Sequence, residues 1–95
     1  MTPEIIIQTS HFDAHFLYKN ALILVDHGDY DLALNLFDTI LSDDEFHAES
    51  LKWKGYCHTQ RGQIEKAIEA YFKLAESTPT DTNYFNLADA FYTAG

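Results

Sequence analysis

The sequence predicts an all-α fold in which antiparallel helix–turn–helix units repeat, giving about five helices. The first observation is a duplication: the segment HGDYDLALNLFDTIL begins at residue 27, and the similar segment RGQIEKAIEAYFKLA begins at residue 61. The second observation is the spacing of Gly28, Gly62 and Gly95, which lie 34 and 33 residues apart. The third is that apolar residues recur three and four positions apart, as on a helix, and that no segment alternates as a strand does.

The length of 95 residues predicts a single domain, residues 1–95, and a hydrophobic content of 46% is that of a globular chain. Cys57 is the only cysteine, so no internal disulfide is expected and a reducing, cytoplasmic location is the simplest interpretation; a periplasmic protein that has lost its signal is the alternative. No apolar run approaches the ~20 residues that cross a bilayer, and the N-terminus does not have the pattern of a secretory signal. The net charge of −9 disfavours nucleic acid and membranes as partners and favours an apolar or basic protein.

Each unit is predicted to contain two antiparallel helices that meet at the glycine, where a positive φ ends the first helix. We expect Ser10 to cap the first helix of the chain and Asp29 to cap the second. Asp43 or Asp44 is expected to cap the third helix, and Pro79 prevents the fourth from continuing. The predicted helices end near residues 26, 41, 60, 77 and 94.

These helices divide the domain into units of similar length. The predicted units are an N-terminal arm or helix extension at 1–12, a first repeat at 13–46, a second repeat at 47–80, and 81–95 as the first helix of a third repeat or a capping helix. The segment 1–12 is left open, because Pro3 suits a helix start whereas the β-branched run Ile5–Ile7 disfavours a helix.

Small residues recur at equivalent positions of the repeats and predict close helix crossings. Two helices approach closely only where one of them lacks a bulky side chain, and the aromatic residues Phe37 and Tyr71 would fill the volume beside these crossings. The small residues assigned to this role are Ala21, Ala33, Gly55 and Ala67, and Ala88 is the small residue at the equivalent position of the third repeat.

Two segments carry a resemblance to a known family. YFNLADAFYTAG at 84–95 is close to the first helix of an idealised tetratricopeptide repeat, and GQIEKAIEAYFKLAESTP at 62–79 is close to the second. The chain therefore resembles the tetratricopeptide repeat family from about Ala14 to Gly95. Lys54 replaces the leucine that the family prefers, and Glu45 replaces the proline that closes a repeat. The resemblance implies a short right-handed solenoid whose concave groove is lined by the first helix of each repeat.

The inward face of each first helix gives the predicted groove. Its side chains follow the helical spacing on the side opposite the small residues. They are His15, Tyr18, Lys19, Leu22, Val25 and Asp26 in the first repeat; Glu49, Lys52, Trp53, Tyr56, Thr59 and Gln60 in the second; and Thr82, Phe85, Asn86, Asp89 and Tyr92 in the third.

The resemblance also suggests one mode of binding that the sequence disfavours. Some family members grip the C-terminal carboxylate of heat-shock chaperones with Lys, Arg and Asn side chains, but the matching positions here contain no cation. They are Tyr18, Leu22, Trp53, Thr82 and Asn86. An aromatic floor that binds apolar side chains is favoured instead, with Trp53 as its main anchor. We expect Trp53→Ala to abolish partner binding while leaving helicity and melting nearly intact.

Residues that carry chemistry do not form a convincing catalytic or metal site. His11 and His15 lie one helical turn apart, but no third zinc ligand has a diagnostic spacing, so surface histidines are the favoured interpretation. Cys57 and His58 point about 100° apart on a helix and cannot form a nucleophile–base pair. The acidic run Asp43–Glu45 lacks the ligand spacing of a calcium loop. The sequence thus predicts no enzyme activity, cofactor or metal.

The favoured function is a protein–protein interaction module, an adaptor, scaffold or co-chaperone that holds a peptide or helix of a partner in the groove. One alternative is a small acidic repeat chaperone for a secreted substrate. Another is a self-associating structural repeat, a homodimer through the last helix, or a fragment of a longer array. The last helix motivates this second alternative, because Leu87 and Phe91 need cover from Ile5–Ile7, a second copy or further chain.

Overall fold

The computed structural model describes residues 13–95 and contains five α-helices and no strand within that range. Each helix packs against the next one in the chain. The predicted all-α repeat fold is therefore confirmed. The helices are α1 (Ala14–Asp26), α2 (Tyr30–Asp43), α3 (Ala48–Gln60), α4 (Ile64–Ser77) and α5 (Asp81–Ala94).

The two glycine bends have the same geometry. Gly28 has φ of +79° and Gly62 has φ of +74°, as the sequence predicts. In both bends the amide after the glycine donates to the carbonyl five residues before it, at 2.8 Å. This pattern is the Schellman motif, which ends a helix by satisfying carbonyls that have no partner inside it. The bends set the direction in which α2 returns along α1 and α4 along α3.

The start of α1 differs from the sequence prediction. Asp13 has extended backbone angles, and its side chain accepts a hydrogen bond from the backbone N–H of His15 at 3.1 Å. The helix therefore begins at Ala14, and the expectation of a start capped by Ser10 is wrong. Ser10 itself, His11 and the Ile5–Ile7 run lie outside the described residues.

The start of α3 also differs, and for a local reason. Asp43 is the last residue of α2, while Asp44 is extended and accepts a hydrogen bond from the Phe46 N–H. The cap is His47, whose ring nitrogen Nδ1 accepts from the Ser50 N–H at 3.2 Å. The prediction that Asp43 or Asp44 caps this helix is wrong, because α2 extends to Asp43 and the chain turns at residues 45–46 before α3 begins at Ala48.

The predicted close crossings occur in the first two repeats. Ala21, Ala33, Phe37 and Ala67 are completely buried. In the second repeat Gly55 faces the ring of its partner aromatic, and a Cβ at Gly55 would lie 2.5 Å from that ring. Small residues are therefore required where each first helix crosses its second helix.

Two further sequence predictions concern caps and the third repeat. Asp29 occupies the predicted cap position of α2, but its side chain makes no capping hydrogen bond. Ala88, the small residue at the equivalent position of the third repeat, is exposed. The reason is that α5 packs against α4, whereas no helix among the described residues crosses α5 on the side of Ala88. The α4 helix ends at Ser77, before Pro79, in agreement with the prediction.

Candidate functional site

The predicted groove residues share one property in the structure: none of them is buried. They divide into exposed and half-buried side chains on the first helices α1, α3 and α5. The exposed ones are His15, Lys19, Asp26, Glu49, Tyr56, Gln60, Thr82, Phe85, Asp89 and Tyr92, and the half-buried ones are Tyr18, Leu22, Val25, Lys52, Trp53, Thr59 and Asn86. We call this set the groove face.

A hydrogen-bonded chain joins α1 to α3 on the groove face. The Trp53 indole Nε1–H donates to the Tyr18 hydroxyl at 3.0 Å. The Tyr18 hydroxyl in turn donates to Oε1 of Glu49 at 3.2 Å. Burial raises the pKa of Tyr18, and the Glu49 carboxylate raises it further against the opposing effect of the Trp53 hydrogen bond. The two rings are thus held in defined positions before any partner arrives.

Further aromatic contacts extend this cluster toward α2 and solvent. The rings of Trp53 and Tyr56 meet edge-on with centroids 5.4 Å apart, and Tyr56 makes a similar contact with Tyr30 at 6.3 Å. The Lys52 ammonium lies 5.4 Å from the Trp53 ring centroid, a cation–π distance. Lys52 also pairs with Glu49 at 3.3 Å.

Trp53 also packs against the core, in addition to its predicted place on the groove face. Its ring packs against the buried cluster formed by Ala21, Ala33, Leu34, Phe37 and Cys57. Removal of the ring would therefore expose part of the core between the first two repeats. The expectation that Trp53→Ala leaves melting nearly intact does not fit this packing.

A recess of about 170 Å³ opens on the groove face between α3 and α5. Helix α4 contributes Ile64 and Tyr71 to its lining. We call it the α3–α5 recess, and its lining residues are Tyr56, Thr59, Ile64, Tyr71, Asn86, Asp89, Ala90 and Thr93. Tyr56, Thr59, Asn86 and Asp89 belong to the predicted groove, and the structure brings these four together. The other four lining residues, Ile64, Tyr71, Ala90 and Thr93, were not predicted to line the groove, because they adjoin the recess only after three helices pack.

The outermost aromatic side chains lie on α5. Phe85 is 67% exposed and Tyr92 is 86% exposed, and neither makes a contact with another ring in the described part of the chain. Tyr84 and Phe91 are also more than half exposed. Helix α5 therefore presents apolar surface on both the groove face and the side where Ala88 lies.

A second cleft, of about 460 Å³, is lined by residues of α2, α3 and α4. Lys54 pairs with Asp38 at 2.8 Å, and Lys73 pairs with Glu45 at 3.3 Å. These ion pairs cross from one repeat to the next. Because four of the charged groups lining the cleft neutralise one another in this way, we assign the cleft to repeat packing.

The residues considered for chemistry are separated in the structure. Cys57 is buried, and burial raises the pKa of its thiol to about 11, so the thiolate is disfavoured. The His58 ring nitrogen Nδ1 is 2.8 Å from Oε1 of Gln63 rather than near a nucleophile. Within residues 13–95, no three side chains of the His, Cys, Asp or Glu type come together as a metal site. No helix in the same range has the length and apolar character of a membrane span.

Comparison with known families gives one match. A family model described as tetratricopeptide repeat matches residues 18–82, which is more than half of the chain and includes most of both glycine-centred repeats. No curated protein matches the sequence.

Proposed function

Because the chain belongs to the tetratricopeptide repeat family, we propose that its groove face binds a peptide or helix of another protein. Repeats of this family generally mediate protein–protein interactions. Such a module acts as an adaptor, scaffold or co-chaperone and needs no catalytic residue or cofactor.

The observation that carries the proposal is a row of accessible aromatic side chains on the first helices. Tyr18, Trp53 and Tyr56 remain at least partly accessible while hydrogen bonds and ring contacts hold them in place. Side chains that are already ordered lose little conformational entropy when a partner binds. Phe85 and Tyr92 continue the row on α5, where aromatic residues are typical of binding hot spots.

The charge of the chain supports an apolar or basic partner segment. The net charge of −9 repels nucleic acid phosphates and anionic lipid, so we do not propose either as a partner. On the groove face, Asp89 is an exposed carboxylate with no cation within ion-pair distance among residues 13–95. A partner that combines apolar anchors with a basic residue would complement this face.

A second candidate function is self-association through α5. In the first two repeats the residues equivalent to Tyr84 are Leu17 and Leu51, which are 7% and 2% exposed, whereas Tyr84 is 53% exposed. A second copy that covers Tyr84 and Phe91 would bury this surface. Light scattering separates the candidates, since a monomer at every concentration up to the millimolar range excludes self-association.

We predict that the double variant Phe85→Ser/Tyr92→Ser loses the partners that the wild-type protein captures. Both side chains are largely exposed, so the change removes anchors without removing core packing. Truncation of one such anchor typically costs about 2 kcal/mol of binding free energy or more. The measurement is affinity capture from a cell extract with wild type and variant side by side, followed by identification of the proteins lost.

The matched control is Phe72→Ser. Phe72 is 54% exposed and lies on α4, outside the predicted groove set. We expect this control to retain the partners that the double variant loses. Capture of the same proteins by wild type, double variant and control would contradict groove binding.

A further inference from the structure

We propose that the α3–α5 recess binds the cationic side chain, lysine or arginine, of a bound partner. This inference rests on the proposed function, because it assigns a specificity-determining contact within the same groove face.

The recess arises from two replacements between equivalent positions of the repeats. The cap residues His47 and Thr80 set an offset of 33 residues between α3 and α5. Under this offset Asn86 stands where Trp53 stands in the second repeat, and Asp89 stands where Tyr56 stands. The space that two large rings fill between the first two repeats is therefore lined by two shorter polar side chains between the next two.

The same space between the first two repeats is closed by apolar packing. The residues equivalent to the lining of the recess include Leu22, Val25 and Tyr30, which pack against the buried cluster that contains Phe37 and Cys57. In the α3–α5 recess the residue equivalent to Phe37 is Tyr71, which adds a hydroxyl. The space is therefore filled by apolar side chains where α3 packs on the first repeat, and it is open and polar where α5 packs on the second repeat.

Two polar side chains of the recess, Asn86 and Asp89, lack partners within residues 13–95. The Asn86 side-chain amide makes no hydrogen bond within residues 13–95, and the Asp89 carboxylate makes neither a hydrogen bond nor an ion pair there. The hydroxyls of Thr59 and Thr93 each donate to a carbonyl of their own helix at 2.9 Å. The Asp89 carboxylate is thus an acceptor in the recess lining that has no donor within residues 13–95.

The negative charge of Asp89 acts on the Tyr71 hydroxyl in the recess lining. Burial raises the pKa of the Tyr71 hydroxyl, a hydrogen bond with Thr59 opposes this, and the negative charge of Asp89 adds to the increase. The carboxylate thus lies close enough to interact with a half-buried ring. An anionic ligand would be repelled at this position, since the lining of the recess contains no lysine, arginine or histidine.

These features match a basic side chain. An ammonium or guanidinium group gains from a carboxylate, from an amide oxygen and from the faces of nearby tyrosine rings. Its aliphatic stem would contact the apolar parts of Ile64 and Ala90, as the stems of such side chains do on other surfaces. A volume of about 170 Å³ suits one side chain rather than a whole helix.

The test uses small probes, so it needs no identified partner. N-acetyl-lysine N-methylamide and its arginine analogue are titrated into the full chain, and backbone amide shifts are followed by NMR. We expect the amides of Thr59, Asn86 and Asp89 to shift, with N-acetyl-norleucine N-methylamide, an uncharged probe of similar shape, binding at least about threefold more weakly. We further expect Asp89→Asn to weaken lysine binding about threefold.

The matched control for the charge change is Asp81→Asn. Asp81 is exposed on the same helix and is not part of the recess lining, so this variant should bind the lysine probe like the wild type. Equal binding of lysine and norleucine, equal weakening by both variants, or shifts confined to residues away from the recess would each overturn the proposal. Because the probes bind without a partner, these results are distinct from the outcome of the capture experiment with Phe85 and Tyr92.

Discussion

The junction between the first and second repeats differs from the junction between the second repeat and α5, although their backbones are alike. In each case a first helix ends in a glycine bend, a second helix returns, and the next first helix packs on it. Trp53 and Tyr56 close the first junction with large rings, whereas Asn86 and Asp89 leave a recess at the second. Small residues and glycines therefore set the repeat, while a few groove-face positions determine how each junction is filled.

The largest expected effect is at the closed junction. We predict that Trp53→Ala lowers the free energy of unfolding by about 2–3 kcal/mol, because full burial of such a ring is worth about 3–5 kcal/mol and Trp53 is half-buried. Its hydrogen bond to Tyr18 is lost as well. Urea denaturation followed by circular dichroism measures the change.

Asn86→Ala is the matched control for this prediction, since Asn86 occupies the equivalent position of the open junction. Its side chain makes no hydrogen bond within residues 13–95, so we expect a change within about 0.5 kcal/mol. Similar losses for the two variants would show that the junctions do not differ as described.

A smaller effect on the free energy of unfolding is expected where α3 and α4 of the second repeat cross. Gly55→Ala introduces a Cβ that would lie 2.5 Å from the Tyr71 ring. Overpacking of this kind costs about 1–3 kcal/mol, and the better helix propensity of alanine returns about 1 kcal/mol. We predict a net destabilisation of about 1 kcal/mol, measured by the same urea titration.

The control for this crossing is Ala88→Leu on α5. Ala88 is the equivalent of Gly55 in the third repeat and is exposed. A larger side chain there meets no covering helix among the described residues, so we expect a change within about 0.5 kcal/mol. A stabilised Gly55→Ala variant, or an Ala88→Leu variant as destabilised as Gly55→Ala, would contradict the packing described for these two helices.

Much of the fold follows from local sequence features. Gly28 and Gly62 predict the bends because glycine adopts positive φ at low cost, and the structure confirms both. The buried positions Ala33 and Ala67 follow from the period of the duplicated segment. The family assignment rests on the same repeated residues and is confirmed by the family match.

The remaining features depend on contacts that sequence spacing does not encode. His47 caps α3 although histidine is not among the preferred capping residues, so the usual signals point to the earlier aspartates. The helical period places Trp53 on the groove face but does not say how deeply its ring packs against α2. The α3–α5 recess requires α3, α4 and α5 to meet, and only the comparison of Trp53 with Asn86 hints at it in the sequence.

The most direct test of the difference between the junctions is the unfolding free energy of the double variant Asn86→Trp/Asp89→Tyr. This variant places the rings of the closed junction into the open one. If the recess exists because these rings are missing, the added apolar burial raises the free energy of unfolding by about 1 kcal/mol at roughly 25 cal/mol per Å². A lower unfolding free energy than that of the wild-type protein would show that the absence of these rings is not what opens the recess.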